Sequence, residues 1–143
     1  NITETFKKSR SRGFGKEVKR RMMIGSYLLS GANAKTYYDK ALRIRNAMKC
    51  EFDKAFNSYD LIIGPVTTSF PCKLDEYRND ANKGFMDDLL TIPVNMAGLP
   101  ALSLPIGKLD KLPIGMQIIG NKFCEQDIYK LAAFIENATK EVK

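Results

Sequence analysis

A chain of 143 residues with 44% hydrophobic content suits one domain with a sizeable core. Its 23 lysines and arginines against 16 acids leave a net charge of +7, which suits contact with a polyanion, and the lack of histidine excludes any Ser-His-Asp or Cys-His arrangement within it. No apolar run approaches the ~20 residues of a membrane span, and no charged-then-apolar leader opens the chain, although Asn1 in place of methionine suggests a piece of something longer.

Residues 1–15 are polar and basic, carry Gly13 and Gly15, and read as a loop or connection. The basic density peaks here and just after, from Lys7 to Arg21 with Glu17 the only acid; a solvated helix face is the plain reading and an RNA-binding patch the sharper one. From Lys16, Val18, Met22, Gly25 and Leu29 recur on one helical face, with Gly31 as a C-cap. A longer helix is expected from about Ala34 to Asn57, its apolar stripe of Tyr37, Ala41, Ile44, Met48, Phe52 and Ala55 facing a core.

Leu61-Ile62-Ile63, ended by Gly64-Pro65, has the form of a buried strand. Residues 66–83 read as a long surface loop, followed by a short helix over 84–91 that carries Asp87 and Asp88. In 92–100 two prolines and a glycine argue against regular helix. Ala101–Ile106 and Ile114–Ile119 read as two strands joined by a loop with Gly107, Asp110 and Pro113, and Pro105 limits how the first can pair. Glu125 to about Glu141 closes the chain as an amphipathic helix, with Ile128, Leu131, Ala132 and Ile135 on one side.

Little in this order carries chemistry by itself. No serine lies in a GxSxG elbow, and neither a GxxxxGK[ST] cradle nor a full GxGxxG fingerprint exists. Cys50, Cys72 and Cys124 are scattered and odd in number, as reduced thiols of a cytosolic protein would be, and without histidine or a CxxC pair they make no zinc site. Asp87-Asp88 could serve a metal or an amine, or could be ordinary helix-start acids. Arg20-Arg21 is equally open between a surface pair and a ligand for an anion.

The strings say more. GFGKEVKRRMMIG at 13–25, YYDKA at 37–41, FDKAF at 52–56 and YDLIIGP at 59–65 resemble, in order, the glutaminase branch of the amidase-signature family. DLLTIPVNMAGLP at 88–100 and LPIGMQIIG at 112–120 are similar to stretches shared across that family. The chain departs from the usual pattern at Ser11-Arg12, where Ser-Glu is common, at Val66-Thr67-Thr68-Ser69 after the Gly-Pro, and at Asp87, where asparagine is frequent.

The resemblance implies an α/β fold with a mixed central sheet flanked by helices, of which residues 1–143 would be the C-terminal portion of a single domain. It implies a Ser-cisSer-Lys triad upstream, so that this portion would hold no catalytic residue and would be inert alone. Members of this branch hydrolyse glutamine through an acyl-enzyme. They pass ammonia to a B subunit that amidates Glu-tRNA(Gln) with ATP and magnesium, and a C subunit braces the pair. No cofactor or metal is then expected in this chain, no membrane contact, and a cytoplasmic or organellar location. Two positions carry over by motif: Arg21 for the α-carboxylate of glutamine and Asp88 for its α-amino group. The alternatives are another amidase-signature hydrolase acting on a different amide, or a non-catalytic basic module that binds RNA or protein.

Overall fold

A computed structural model describes residues 1–71, 73 and 83–141. The chain divides into two compact units, Asn1–Ile44 and Arg45–Lys143, and each is described by itself.

The first unit is helical from its second residue. α1 spans Ile2–Gly13, α2 spans Lys16–Leu28, and a single turn, α3, spans Gly31–Asn33. The expectation of a loop over 1–15 is therefore corrected. The Asn1 side chain caps α1 by accepting from the Thr3 N–H at 3.1 Å, Glu4 sits in the first turn, and Arg10 and Arg12 sit in the last. That distribution of charge matches the helix dipole, and Lys8 adds an ion pair to Glu4 at 2.8 Å. The basic segment is thus largely helix surface, with Arg10 stacked over Phe6 at 5.7 Å.

Gly31 is not the C-cap of α2, which ends at Leu28 with Leu29 as its cap. Gly31 instead supplies the φ of +46° that redirects the chain into α3. A π-helical turn, Ala34–Tyr38, follows and runs directly into α4, Asp39–Ala55, which crosses from the first unit into the second. The expected apolar stripe is only partly covered. Tyr37, Ala41 and Ile44 are exposed, whereas Met48, Phe52 and Ala55 are half-buried.

The second unit is built on a three-stranded antiparallel sheet in the order β1-β3-β2, from Leu61–Pro65, Ala101–Leu109 and Leu112–Gly120. β2 and β3 form the hairpin, and both strands run further than their patterning suggests. Only Asp110 and Lys111 are left in the turn, at φ of 49° and 70°, so both central residues are left-handed, as in the type I′ turns whose twist suits a hairpin. Pro105 is accommodated by a register shift between it and Gly107, which spares the ladder a missing donor. β1 lies at an edge of this sheet. Leu61 and Ile62 are half-buried and Ile63 is exposed, so the run is not the fully buried strand its composition suggested.

α5, Lys83–Asp87, and α6, Ile92–Ala97, precede the hairpin. α6 forms despite the prolines because Pro93 lies in its first turn, where an N–H would be orphaned anyway, and Gly98 ends it in the left-handed conformation at φ 72°. The loop expected over 66–83 lies mostly outside the described residues. α7, Glu125–Glu141, packs across β2 and β3. Leu104, Ile118, Ile128 and Ala132 make the core, with Leu131 and Ile135 against it. Gly120 permits the contact, since a Cβ there would come within 2.9 Å of the Ile128 side chain. Among the described residues no helix is long and apolar enough to cross a membrane.

Ile118 is fully buried, whereas Ile63, its partner on the edge strand β1, is 58% exposed. In urea unfolding Ile118→Ala should therefore cost about 3–5 kcal/mol and Ile63→Ala under ~1 kcal/mol. Equal losses would mean that β3 is not the buried strand. Because Met23, Phe134 and Phe123 are 73%, 71% and 93% exposed, the chain by itself should bind hydrophobic dyes and self-associate, which a dye-silent monomer in light scattering would contradict.

Candidate functional site

α2 sets three charges at helical spacing. Glu17, Arg20 and Arg21 stand at i, i+3 and i+4, so one carboxylate meets both guanidinium groups. Arg20 donates through Nε to Glu17 Oε2 at 2.8 Å and through Nη2 to Oε1 at 2.9 Å, and Arg21 donates through Nε to Oε1 at 2.9 Å. Hydrogen bonds from Arg20 first and Arg21 second hold the Glu17 carboxyl down to about 2 from an ordinary 4.5, and the bond to Glu17 raises Arg20 in turn. The arrangement fixes the direction of the Arg21 head from its Nε side. A guanidinium carries five donors in a planar fork, a geometry that matches a carboxylate.

In the second unit Asp88 opens the turn between α5 and α6 and is half-buried. It is not a helix-start acid: its N–H donates to the Gly84 carbonyl at 3.3 Å, closing the end of α5. Its own carbonyl accepts from the Thr91 N–H at 3.1 Å, the Ile92 N–H at 3.0 Å and the Thr91 hydroxyl at 3.2 Å. The Asp87 carboxylate accepts from the Ser69 hydroxyl at 2.8 Å.

One further residue is buried within the shared stretch LPIGMQIIG at 112–120. Gln117, in the middle of β3, is 7% exposed and donates through Nε2 to the Leu90 carbonyl at 3.1 Å and the Pro65 carbonyl at 3.3 Å. It borders a cavity of about 220 Å³ together with Thr91, Asn95 and Ser103. Its signals in the sequence are its place in that stretch and a lone amide inside the apolar run Ile114–Ile119.

Arg21 belongs to the first unit and Asp88 to the second. Among the described residues no group of three histidines, cysteines or acids could hold a metal. Cys50 and Cys124 are free thiols, and Cys72 lies outside the described residues.

The Glu17 clamp makes a pH statement. A depressed carboxyl contributes above its ordinary value and loses that contribution as pH falls from 4.5 toward about 2. The groups are solvent-exposed, so salt weakens the effect. An NMR titration of the Glu17 carboxyl should show a midpoint well below 4.5 that climbs with ionic strength. A midpoint near 4.5 at low salt would mean that the clamp does not persist in solution.

Known proteins share this sequence and geometry. The family model described as "Amidase" matches residues 1–128. The chain is 46% identical over 139 residues to the glutamyl-tRNA(Gln) amidotransferase A subunit of Geobacillus thermodenitrificans, covering 97% of this chain and 29% of that protein. It is likewise 46% identical over 144 residues to the protein of the same name from Oceanobacillus iheyensis, covering 100% of this chain and 30% of that one. The crystal structure of the glutamyl-tRNA(Gln) amidotransferase A subunit from Thermotoga maritima superposes with a TM-score of 0.65 at 36% identity, over 85% of this chain and 27% of that one. A bacterial aryl acylamidase of the amidase-signature family, 20% identical with a TM-score of 0.68 over 94% of this chain and 30% of its own, shares the fold. The chain spans under a third of the length of these relatives. The match over residues 1–128 and these identities establish that the chain belongs to the amidase family.

Proposed function

We propose that this chain is the glutamine-anchoring portion of the hydrolytic component of a glutamine-dependent amidotransferase that converts Glu-tRNA(Gln) to Gln-tRNA(Gln). In this reading Arg21 holds the α-carboxylate of glutamine and Asp88 its α-amino group. A guanidinium fork suits a carboxylate and a carboxylate suits an ammonium. The observation that carries the proposal is the Arg21 head held by Glu17 on a chain 46% identical to a glutamyl-tRNA(Gln) amidotransferase component. An amide without an amino-acid head would give Arg21 and Asp88 nothing to bind.

The remaining parts follow from the same reading. The Ser-cisSer-Lys triad belongs to sequence outside these residues, so the chemistry at the amide carbon is not performed by Arg21 or Asp88. Their task is to hold the substrate where an external nucleophile reaches it. The ammonia released goes to a B subunit that uses ATP and magnesium, with a C subunit completing the assembly, in the cytoplasm or an organelle.

In the intact protein Arg21→Ala should lower kcat/KM for glutamine by about 1.5–3 kcal/mol of lost charge-assisted hydrogen bonding, roughly ten- to a hundredfold. Helix content by circular dichroism should stay unchanged, because Arg21 is exposed and contributes no core packing. Glutamine kinetics indistinguishable from the parent would remove Arg21 from the site.

A further inference from the structure

We infer that Gln117 is a positioning residue for glutamine, holding the turn that presents Asp88 at a fixed place on the sheet. The inference rests on the reading of Asp88 given above and assigns a task to a residue that reading does not use.

Hydrogen-bond accounting makes the case. Gln117 is buried in the central strand, its backbone facing Gly64 of β1 on one side and Ser103 of β2 on the other. A buried primary amide must place its donors, and the Gln117 Nε2 group has two hydrogens. They go to the Leu90 carbonyl at 3.1 Å and the Pro65 carbonyl at 3.3 Å. Pro65 ends β1, and Leu90 lies two residues after Asp88 in the turn between α5 and α6. A single amide nitrogen therefore joins the middle of the sheet, the end of its edge strand and the Asp88 turn.

Bonds inside the turn do a different job. The Asp88 carbonyl accepts from Thr91 and Ile92, and the Asn95 side chain donates to the Thr91 carbonyl at 2.9 Å. Farther along, Arg45 donates through Nε to the Met96 carbonyl at 2.8 Å and holds the far end of α6. The local bonds give the turn its shape, whereas the reach from Gln117 ties that shape to the central strand. A carboxylate that must meet an ammonium group is sensitive to place, since displacement by about 1 Å can cost on the order of a hundredfold. The role belongs to binding, because Gln117 is assigned no contact with a reacting atom.

The test uses glutamine hydrolysis by the full-length protein. Gln117→Met keeps the length of the side chain without a donor. It should raise KM for glutamine about tenfold or more and leave kcat within about threefold. Gln117→Asn keeps the amide but withdraws it by one methylene, so it cannot span both carbonyls; it should shift KM in the same direction and serves alone if the methionine variant does not fold. The discriminating measurement is the double variant with Asp88→Asn. If Gln117 acts through Asp88, the KM of the double variant equals that of Asp88→Asn, because a misplaced partner cannot be lost twice. Effects that multiply in full, or a kcat loss with KM unchanged, overturn the inference and leave the reading of Asp88 standing. An Asp88→Asn variant with unaltered KM overturns that reading and this inference together.

Discussion

The second unit depends on keeping β3 dry. Ile118 is fully buried beneath α7, and its neighbours Gln117 and Ile119 are almost as inaccessible, so three consecutive residues are covered on both faces of the strand. A strand in that position cannot leave a polar side chain unsatisfied, which is why the Gln117 amide is committed to two carbonyls. The hydrophobic effect places β3, and the polar residue within it then fixes what lies beside the strand. Packing and site geometry are in this sense one problem.

The first unit follows different physics. Its helices hold no fully buried residue among those described, and their order comes from caps, ion pairs and the macrodipole. Individually these contribute tenths of a kcal/mol to about 1 kcal/mol, and they weaken in salt. Arg21 is held in this soft setting and Asp88 in a turn fastened to a hydrophobic sheet. The two residues therefore differ in what holds them, Arg21 by charge and the Asp88 turn by hydrogen bonds to a packed sheet.

Much of the second unit was legible in the sequence. The span of α7 was readable from the period of Ile128, Leu131, Ala132 and Ile135, and both hairpin strands from their apolar runs. The misreadings have local causes. Pro93 argued against helix, yet a proline in the first turn costs a helix nothing. Gly13, Gly15 and the dense charge made 1–15 look like a loop, although the charges were ordered as a helix prefers. The exposure of Ile44 and the edge position of β1 were hidden because periodicity marks an apolar face without saying what covers it. Chemistry alone leaves Arg21 and Asp88 open between a ligand and a surface role, and only the motif resemblance proposes them as a site. Gln117 stands in the LPIGMQIIG stretch, but what it holds was hidden because its partners are carbonyls, which no side-chain pattern records.

The Asp110-Lys111 turn has a consequence for how such a chain can change over time. It stands at the closed end of the hairpin, separated from the buried half of the ladder by the register shift between Pro105 and Gly107. Ala101 to Leu104 keep their pairing with Ile119 to Met116 whatever the length of the loop beyond the shift. Longer loops add only slowly to the entropy of closure. This corner is therefore a natural port for new sequence, where a peptide label or an acquired insert can be carried without disturbing the strand that holds the Asp88 turn.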